Sequence, residues 1–342
     1  MSTSSASETS VAPDVQTAAG LLRFGNLFCD AKVLLTAVEL GLFAELEDGP
    51  ATTAEIRDRL DLHGRGLAHF LATLVSIGVL VEEDGVFRNA DGAQRHLVPG
   101  ADEFVGGFLI GAGRTLYPAY GNLGETLRTG AAQAGGDFAK MIEDPGALAQ
   151  FAQMMDGLNE TLGPLLAGAF DWSGHRRVLD VGGCRGNLLS HVLRAGPGLT
   201  GQVFDLPPMG PLFERHMAEQ DLSERASFHG GDFFTDRLPA ADVVICGHVL
   251  SDWNADERLT LLRKAADALE PGGELLVYDR MLVAGTDNRE NLVASLSLML
   301  MTDGGGAYSV AELQEQARTA GFGRFTHRPL GAYDTLVTAV RN

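Results

Sequence analysis

The second half of the chain sets the strongest limit on what it can fold into. From residue 176 onward, short apolar runs alternate with amphipathic stretches. RVLDVG is followed by GNLLSHVLRAG, GQVFDLP, ASFHGGD and ADVVICGHVL, then by ADERLTLLRKAADAL, GELLVYDR and SVAELQEQARTAGF, and finally by GRFTHRPL and TLVTAVRN. Runs that are apolar throughout suit strands buried on both faces. Joined by helices, they predict an α/β fold with a doubly wound parallel sheet. Only GAYD separates the last two runs, which is too short for a crossover, so the final strand is expected to pair antiparallel. The strand VVICGHV is expected to run over 243–249.

The first 170 residues have helical periodicity instead. LLTAVELGLFAEL (34–46) repeats its apolar residues at three-to-four spacing and stops at Gly49-Pro50. Thr52 or Thr53 is expected to cap AEIRDRL, and RGLAHFLATLVSIGVL forms a further helix. LVEEDG and VFRN then read as two short strands around an acidic-glycine turn. Helices followed by a small wing are a winged-helix pattern. The helix that would enter a DNA groove is nearly all apolar, however, and has core or subunit-interface character. The expected organisation is a disordered tail over 1–15, a winged-helix domain over 16–100, a helical linker over 101–170 and the sheet domain over 171–342.

Charge and cysteine content narrow the function. Lys and Arg number 26 against 45 Asp and Glu, a formal net charge of −19. Nucleic acid and anionic membrane favour the opposite balance, so the expected partner is a small molecule. Three cysteines without a CxxC pattern suggest neither a disulfide framework nor a zinc site. No His/Asp/Glu cluster has ligand spacing, so no metal is expected. The first fourteen residues lack a basic, apolar leader, and no apolar run reaches membrane-spanning length, so a cytoplasmic location is expected.

The motifs that carry chemistry lie at the strand ends. RVLDVG runs into GGCRG, where the backbone turns tightly before a helix. Cys184 replaces the second glycine of a dinucleotide fingerprint, which argues for a ligand without phosphates at this turn. Asp205 ends the next strand, 25 residues after Asp180, where an acid can accept from both hydroxyls of a ribose. Asp232 ends the third strand beside Phe233 and Phe234, a combination suited to an adenine. Three acids at the carboxyl edge of successive strands point to one ligand.

With LEPGGELLVYD and HVLSDW, these segments make the chain resemble the class I S-adenosylmethionine-dependent methyltransferases. Specifically, it resembles the caffeate-type and bacterial small-molecule O-methyltransferases that carry an N-terminal winged-helix dimerisation domain, over about residues 20–342. The resemblance implies a seven-stranded sheet with an antiparallel last strand, a homodimer through the N-terminal domain, and S-adenosylmethionine as cofactor. It implies that Asp180 and Gly182 border the methionine half of the cofactor and that Asp205, with Leu206, holds the ribose. Gly231, Asp232 and Phe233 would take the adenine, and Trp253 would lie against the cofactor.

The resemblance also implies a histidine base in the seat that Ser251 occupies. Imidazole suits the task because it titrates near neutrality, whereas a hydroxyl without an adjacent base takes no proton. Nothing near Ser251 in sequence supplies that base. Of the two acids that flank the family's histidine, Asp279 fits one position and Ala307 stands at the other. His248 is a candidate surrogate base, although in an extended segment it would point to the opposite face from Ser251. Three outcomes remain open. One is O-methylation of a small phenolic secondary metabolite without the usual base. Another is C-methylation of a phenolic ring or enol, as in an aromatic amino acid or keto acid. The third is retention of the cofactor without methyl transfer.

Acceptor contacts are expected from the helices before the sheet. Phe151 and Met155 fall on one helix face at i and i+4, with Asp156 and Asn159 beside them. Phe104, Phe108, Tyr117 and Tyr120 are candidate cavity aromatics, and Asp303 and Tyr308 candidate orienting groups.

Overall fold

The computed structural model describes residues 15–101, 104–134 and 142–342. The expected N-terminal tail lies outside them except for Val15. The chain divides into two compact units, one ending at Gly113 and the other spanning Arg114–Asn342. The segment read as a helical linker is therefore shared between the two.

The first unit begins with a long helix, Ala18–Glu39, and a one-turn helix, Leu42–Glu45. The single expected helix over 34–46 is thus broken, because Gly41 adopts the left-handed conformation at φ +75°. Thr52 caps the Thr53–Arg59 helix in a reciprocal box with Glu55. The apolar helix is Leu67–Ser76, with Leu67, Leu71 and Leu74 buried. β2 (Leu80–Glu83) and β3 (Val86–Asn89) form the wing, and β1 (Ala51–Thr52) adds a third short strand antiparallel to β3. Leu21, Leu22, Phe24 and Phe28 on the first helix stay exposed.

The second unit carries a seven-stranded sheet. Its strands are β4 (Arg177–Val181), β5 (Thr200–Asp205), β6 (Ala226–Gly230), β7 (Ala241–Gly247), β8 (Leu269–Asp279), β9 (Phe322–Leu330) and β10 (Asp334–Arg341). Their order is β6-β5-β4-β7-β8-β10-β9. β10 pairs antiparallel with both β8 and β9, as the three-residue link before it requires. Alternate residues feed two cores. Val244, Cys246, Leu275 and Val277 pack with the helices Ala255–Ala268 and Val310–Thr319. Val243, Ile245, Leu276 and Tyr278 pack with the helices Pro145–Ala169, Asn187–Ala195 and Gly210–Glu219. A sheet covered on both faces leaves only its edges open to a ligand. The chain reverses direction across the sheet between β4 and β7, which makes the carboxyl edge there the favoured crevice.

Candidate active site

Every acidic residue singled out at a strand end lies along this carboxyl edge. After β4 the chain makes its glycine turn, with Gly182 at φ +70° and Cys184 at φ +51°. A Cβ built on Gly183 would come 2.5 Å from Asp180 Oδ2, so the glycine is what lets a carboxylate sit beneath the turn. Asp180 is 2% exposed and its Oδ2 has no hydrogen-bond partner. Burial first, and then the Asp205 charge, push its pKa up to about 8.

Asp205 closes the turn from the neighbouring strand. Its Oδ2 accepts the Cys184 amide and its Oδ1 the Leu206 amide, each at 2.7 Å. Burial raises its pKa and the two amides oppose that rise. Each oxygen retains lone-pair capacity after accepting one amide. Gly231 donates its amide to the Asp205 carbonyl at 2.9 Å, which draws the end of β6 against β5.

Asp232 is exposed, and its Oδ1 accepts the Phe234 amide at 2.8 Å. Phe233, Phe234 and Trp253 form an edge-to-face cluster with ring centroids 4.6–5.8 Å apart. The Trp253 indole nitrogen is buried without a hydrogen-bond partner.

The segment after β7 differs from the extended strand expected up to 249. β7 ends at Gly247, where the Tyr278 ring packs so closely that a Cβ would lie 2.1 Å from Tyr278 Cζ. His248 then turns the chain at φ +52°, and Leu250–Asp252 forms a 3-10 turn. His248 and Ser251 consequently do not point to opposite faces. Both reach Asp279 at the end of β8. Ser251 donates to Asp279 Oδ1 at 2.8 Å, and His248 Nδ1 lies 3.7 Å from the same oxygen. Ser251 therefore has a carboxylate partner that lies 28 positions away in sequence.

Asp279 is 1% exposed, and its Oδ2 accepts the Tyr308 hydroxyl at 2.7 Å. Asp334, the first residue of β10, stands 2.9 Å from His248 Nε2. That contact is close enough for an ion pair, although the ring N–H is not aimed at the oxygen. Burial alone would depress the His248 pKa, but Asp334 and then Asp279 raise it above its ordinary value. Asp252 is half-buried, and burial followed by the Asp279 charge pushes it up to about 7.

The remaining expected contacts are distributed unevenly. Phe151 and Met155 pack in a cluster with Leu148, Ala152, Cys184 and Met209, which brings their helix to the glycine turn. Asp156 is buried and paired with Arg185 of that turn. Burial raises its pKa, and Arg185 opposes this. Asn159 is buried and accepts a long 3.4 Å bond from the Tyr278 hydroxyl. Tyr117 is half-buried, and Tyr120 bonds to Val293 and Ser297. Tyr308 is 2% exposed beneath Arg258, so its hydroxyl is spent on Asp279 instead of facing a cavity. Asp303 is exposed, Ala307 donates its amide to Ser295, and Phe104 and Phe108 belong to the first unit.

Asp334 was not anticipated from the sequence, yet a signal existed. An antiparallel final strand necessarily begins at the edge where β8 ends, and Thr335 pairs in register with Asp279. Among the described residues no group of three metal-ligating side chains occurs, and no helix is long and apolar enough to cross a membrane.

The geometry agrees with what the chain is similar to. An O-methyltransferase domain matches residues 120–323 and an O-methyltransferase dimerisation domain matches residues 22–99. The tetracenomycin polyketide synthesis 8-O-methyl transferase of Streptomyces glaucescens is 39% identical, covering 92% of this chain and 94% of its own. The N,N-dimethyltransferase OxyT of Streptomyces rimosus is also 39% identical, covering 92% and 93%. The crystal structure of human N-acetylserotonin methyltransferase with S-adenosylmethionine superposes with a TM-score of 0.86 at 27% identity, covering 96% and 99%. The chain belongs to the S-adenosylmethionine-dependent O-methyltransferase family with an N-terminal dimerisation domain.

Proposed function

We propose that this enzyme transfers a methyl group from S-adenosylmethionine to a hydroxyl oxygen of a small phenolic secondary metabolite, and that it works as a homodimer through its first unit. The observation that carries the cofactor reading is Asp205. Two backbone amides fix its carboxylate at 2.7 Å each, and it retains the lone pairs that two ribose hydroxyls need. The orphaned, buried Oδ2 of Asp180 beside Gly183 suits the positively charged methionine half. Asp180 and Gly182 would border that half, and Asp205 with Leu206 would hold the ribose. Gly231, Asp232 and Phe233 would take the adenine, with Trp253 against the cofactor. When bound, S-adenosylmethionine supplies an electrophilic methyl on a sulfonium.

The chain's own part is orientation, desolvation and management of one proton. His248 faces carboxylates through both ring nitrogens, which favours the imidazolium, a form with no lone pair to accept a proton. Its assigned task is charge balance for Asp279 and Asp334. Met155 and Phe151 would offer apolar surface to a flat acceptor near the glycine turn, and Tyr117 a half-buried ring. Asp156 and Asn159 are already engaged by Arg185 and Tyr278 and would act by fixing that wall.

Transfer to an oxygen follows the 8-O-methyl transferase named in the tetracenomycin relative and the matched O-methyltransferase domain. The similarity to OxyT favours a second reading, transfer to an amine nitrogen. Incubation with methyl-labelled S-adenosylmethionine and a panel of hydroxyarenes, aminoarenes and aryl keto acids, followed by NMR of the product, separates O-, N- and C-transfer. Formation of S-adenosylhomocysteine together with an O-methyl signal supports the proposal. Label on nitrogen or carbon replaces it. Cofactor binding without S-adenosylhomocysteine would make the chain a relative that retains the cofactor for another purpose.

A further inference from the structure

We infer that Ser251 is a proton relay and that Asp279 is the terminal proton acceptor of the reaction. The inference rests on the proposed transfer to a hydroxyl and adds how that hydroxyl loses its proton. A serine cannot act as a base alone, but this one is already aligned with a carboxylate. Its O–H is directed at Asp279 Oδ1 at 2.8 Å, and no donor among the described residues reaches its oxygen. Its backbone is held as well, since the Ser251 carbonyl accepts the Gly306 amide at 2.8 Å. The oxygen can therefore accept a hydrogen bond from an acceptor hydroxyl without giving up its bond to Asp279.

The step balances within three groups. The acceptor O–H breaks as its proton passes to Ser251 Oγ. The original Ser251 O–H breaks as that proton passes along the existing hydrogen bond to Asp279 Oδ1. Serine ends as a serine, Asp279 ends as a neutral acid, and the acceptor is left as the phenolate. Asp279 releases the proton to solvent once the product has gone.

The surroundings suit a carboxylate that must accept a proton and later release it. Facing Asp279 are Ser251 and His248 from the segment after β7 and Tyr308 from the segment before the Val310–Thr319 helix, while Asp334 of β10 contacts the other ring nitrogen of His248 and acts on Asp279 by charge. Asp252 is coupled to it by charge, Arg258 lies over the Tyr308 ring, and Arg280 acts on His248. Burial raises the Asp279 pKa above that of an ordinary carboxylate, while His248, Tyr308 and Ser251 restrain the rise. A carboxylate so placed is a stronger base than an exposed one.

The test compares wild type, Ser251→Ala, Ser251→Thr and Asp279→Asn with two classes of phenol at matched size. One class has the ordinary phenol pKa near ~10, and the other is a nitrophenol already ionised at the assay pH. With the ordinary phenol, Ser251→Ala should lower kcat by about 10²–10⁴-fold, the usual scale of proton-transfer catalysis. Ser251→Thr should recover most of that loss. With the ionised phenol the Ser251→Ala loss should shrink to a few-fold, because no proton has to leave. The wild-type rise of kcat with pH should give way in Ser251→Ala to one that tracks the acceptor's own pKa. An equal loss with both phenols, or no loss with either, overturns the relay. Asp279→Asn serves as the second variant and should show the same acceptor dependence. Calorimetric binding of S-adenosylmethionine to each variant keeps the two claims apart. If binding fails in the wild type, the methyltransferase reading fails. If binding is intact but the phenols are not discriminated, only the relay fails.

Discussion

Replacing Gly182 with alanine should be costly for two separable reasons. The residue sits at φ +70°, and an added Cβ would lie 2.6 Å from Val249 Cγ2. Carbon atoms prefer separations of about 3.5–4.0 Å, so the new methyl intrudes by roughly 1 Å into a residue that is 7% exposed. Overpacking of that kind costs about 1–3 kcal/mol. A left-handed conformation at a non-glycine residue adds about 1–2 kcal/mol. The expected total is about 2–5 kcal/mol of unfolding free energy in the cofactor-free protein. Trimming Val249 to alanine removes Cγ2 and relieves the collision but not the backbone cost. A urea-denaturation cycle of wild type, Gly182→Ala, Val249→Ala and the double variant should therefore show favourable coupling of about 1–3 kcal/mol. Additivity within ~0.5 kcal/mol would refute the collision argument. The turn should also lose cofactor affinity, because the Gly182 amide ties it to the Phe204 carbonyl at 2.8 Å.

Three further predictions rest on burial and exposure. The Asp180 pKa lies at about 8 in the folded protein against 3.8 in an ordinary setting. Because the folded value is raised, stability from the protonated acid is complete below 3.8 and is lost as pH climbs through 8. The cofactor-free protein should weaken across that window in urea titrations, and Asp180→Asn should flatten the decline. A cationic ligand that ionises Asp180 should release a proton at pH 7, read by calorimetry in buffers of different ionisation enthalpy. On the first unit, Leu22 is 70% and Phe28 55% exposed on the Ala18–Glu39 helix. Leu22→Glu with Phe28→Glu should convert a dimer into a monomer by light scattering, and an unchanged mass would remove this face from the interface.

Much of the sheet was legible because continuous apolar runs and a three-residue final link admit few topologies. The acids Asp180, Asp205 and Asp232 were legible for the same reason, since a residue that ends a parallel strand has a known position. The Ser251 site was not. The resemblance named Asp279 as a flanking acid, but its hydrogen bond from Ser251 and the shared approach of His248 depend on the turn at His248 that follows the close Gly247–Tyr278 packing. Tyr308 and Asp156 likewise carried polar groups whose partners, Asp279 and Arg185, no local spacing could identify. The break at Gly41 was hidden by apolar periodicity that continues across it.

The central claim is that this carboxyl edge binds S-adenosylmethionine through Asp205. Titration calorimetry of S-adenosylmethionine into wild type and Asp205→Ala tests it most directly, with thermal unfolding as a check that the variant folds. Two hydroxyl bonds to a charged acceptor at about 1.5–3 kcal/mol each predict one site per chain in the wild type. They also predict affinity weaker by about a hundredfold or more in the variant. No binding to the folded wild type, or equal affinity in a folded Asp205→Ala, would contradict the account.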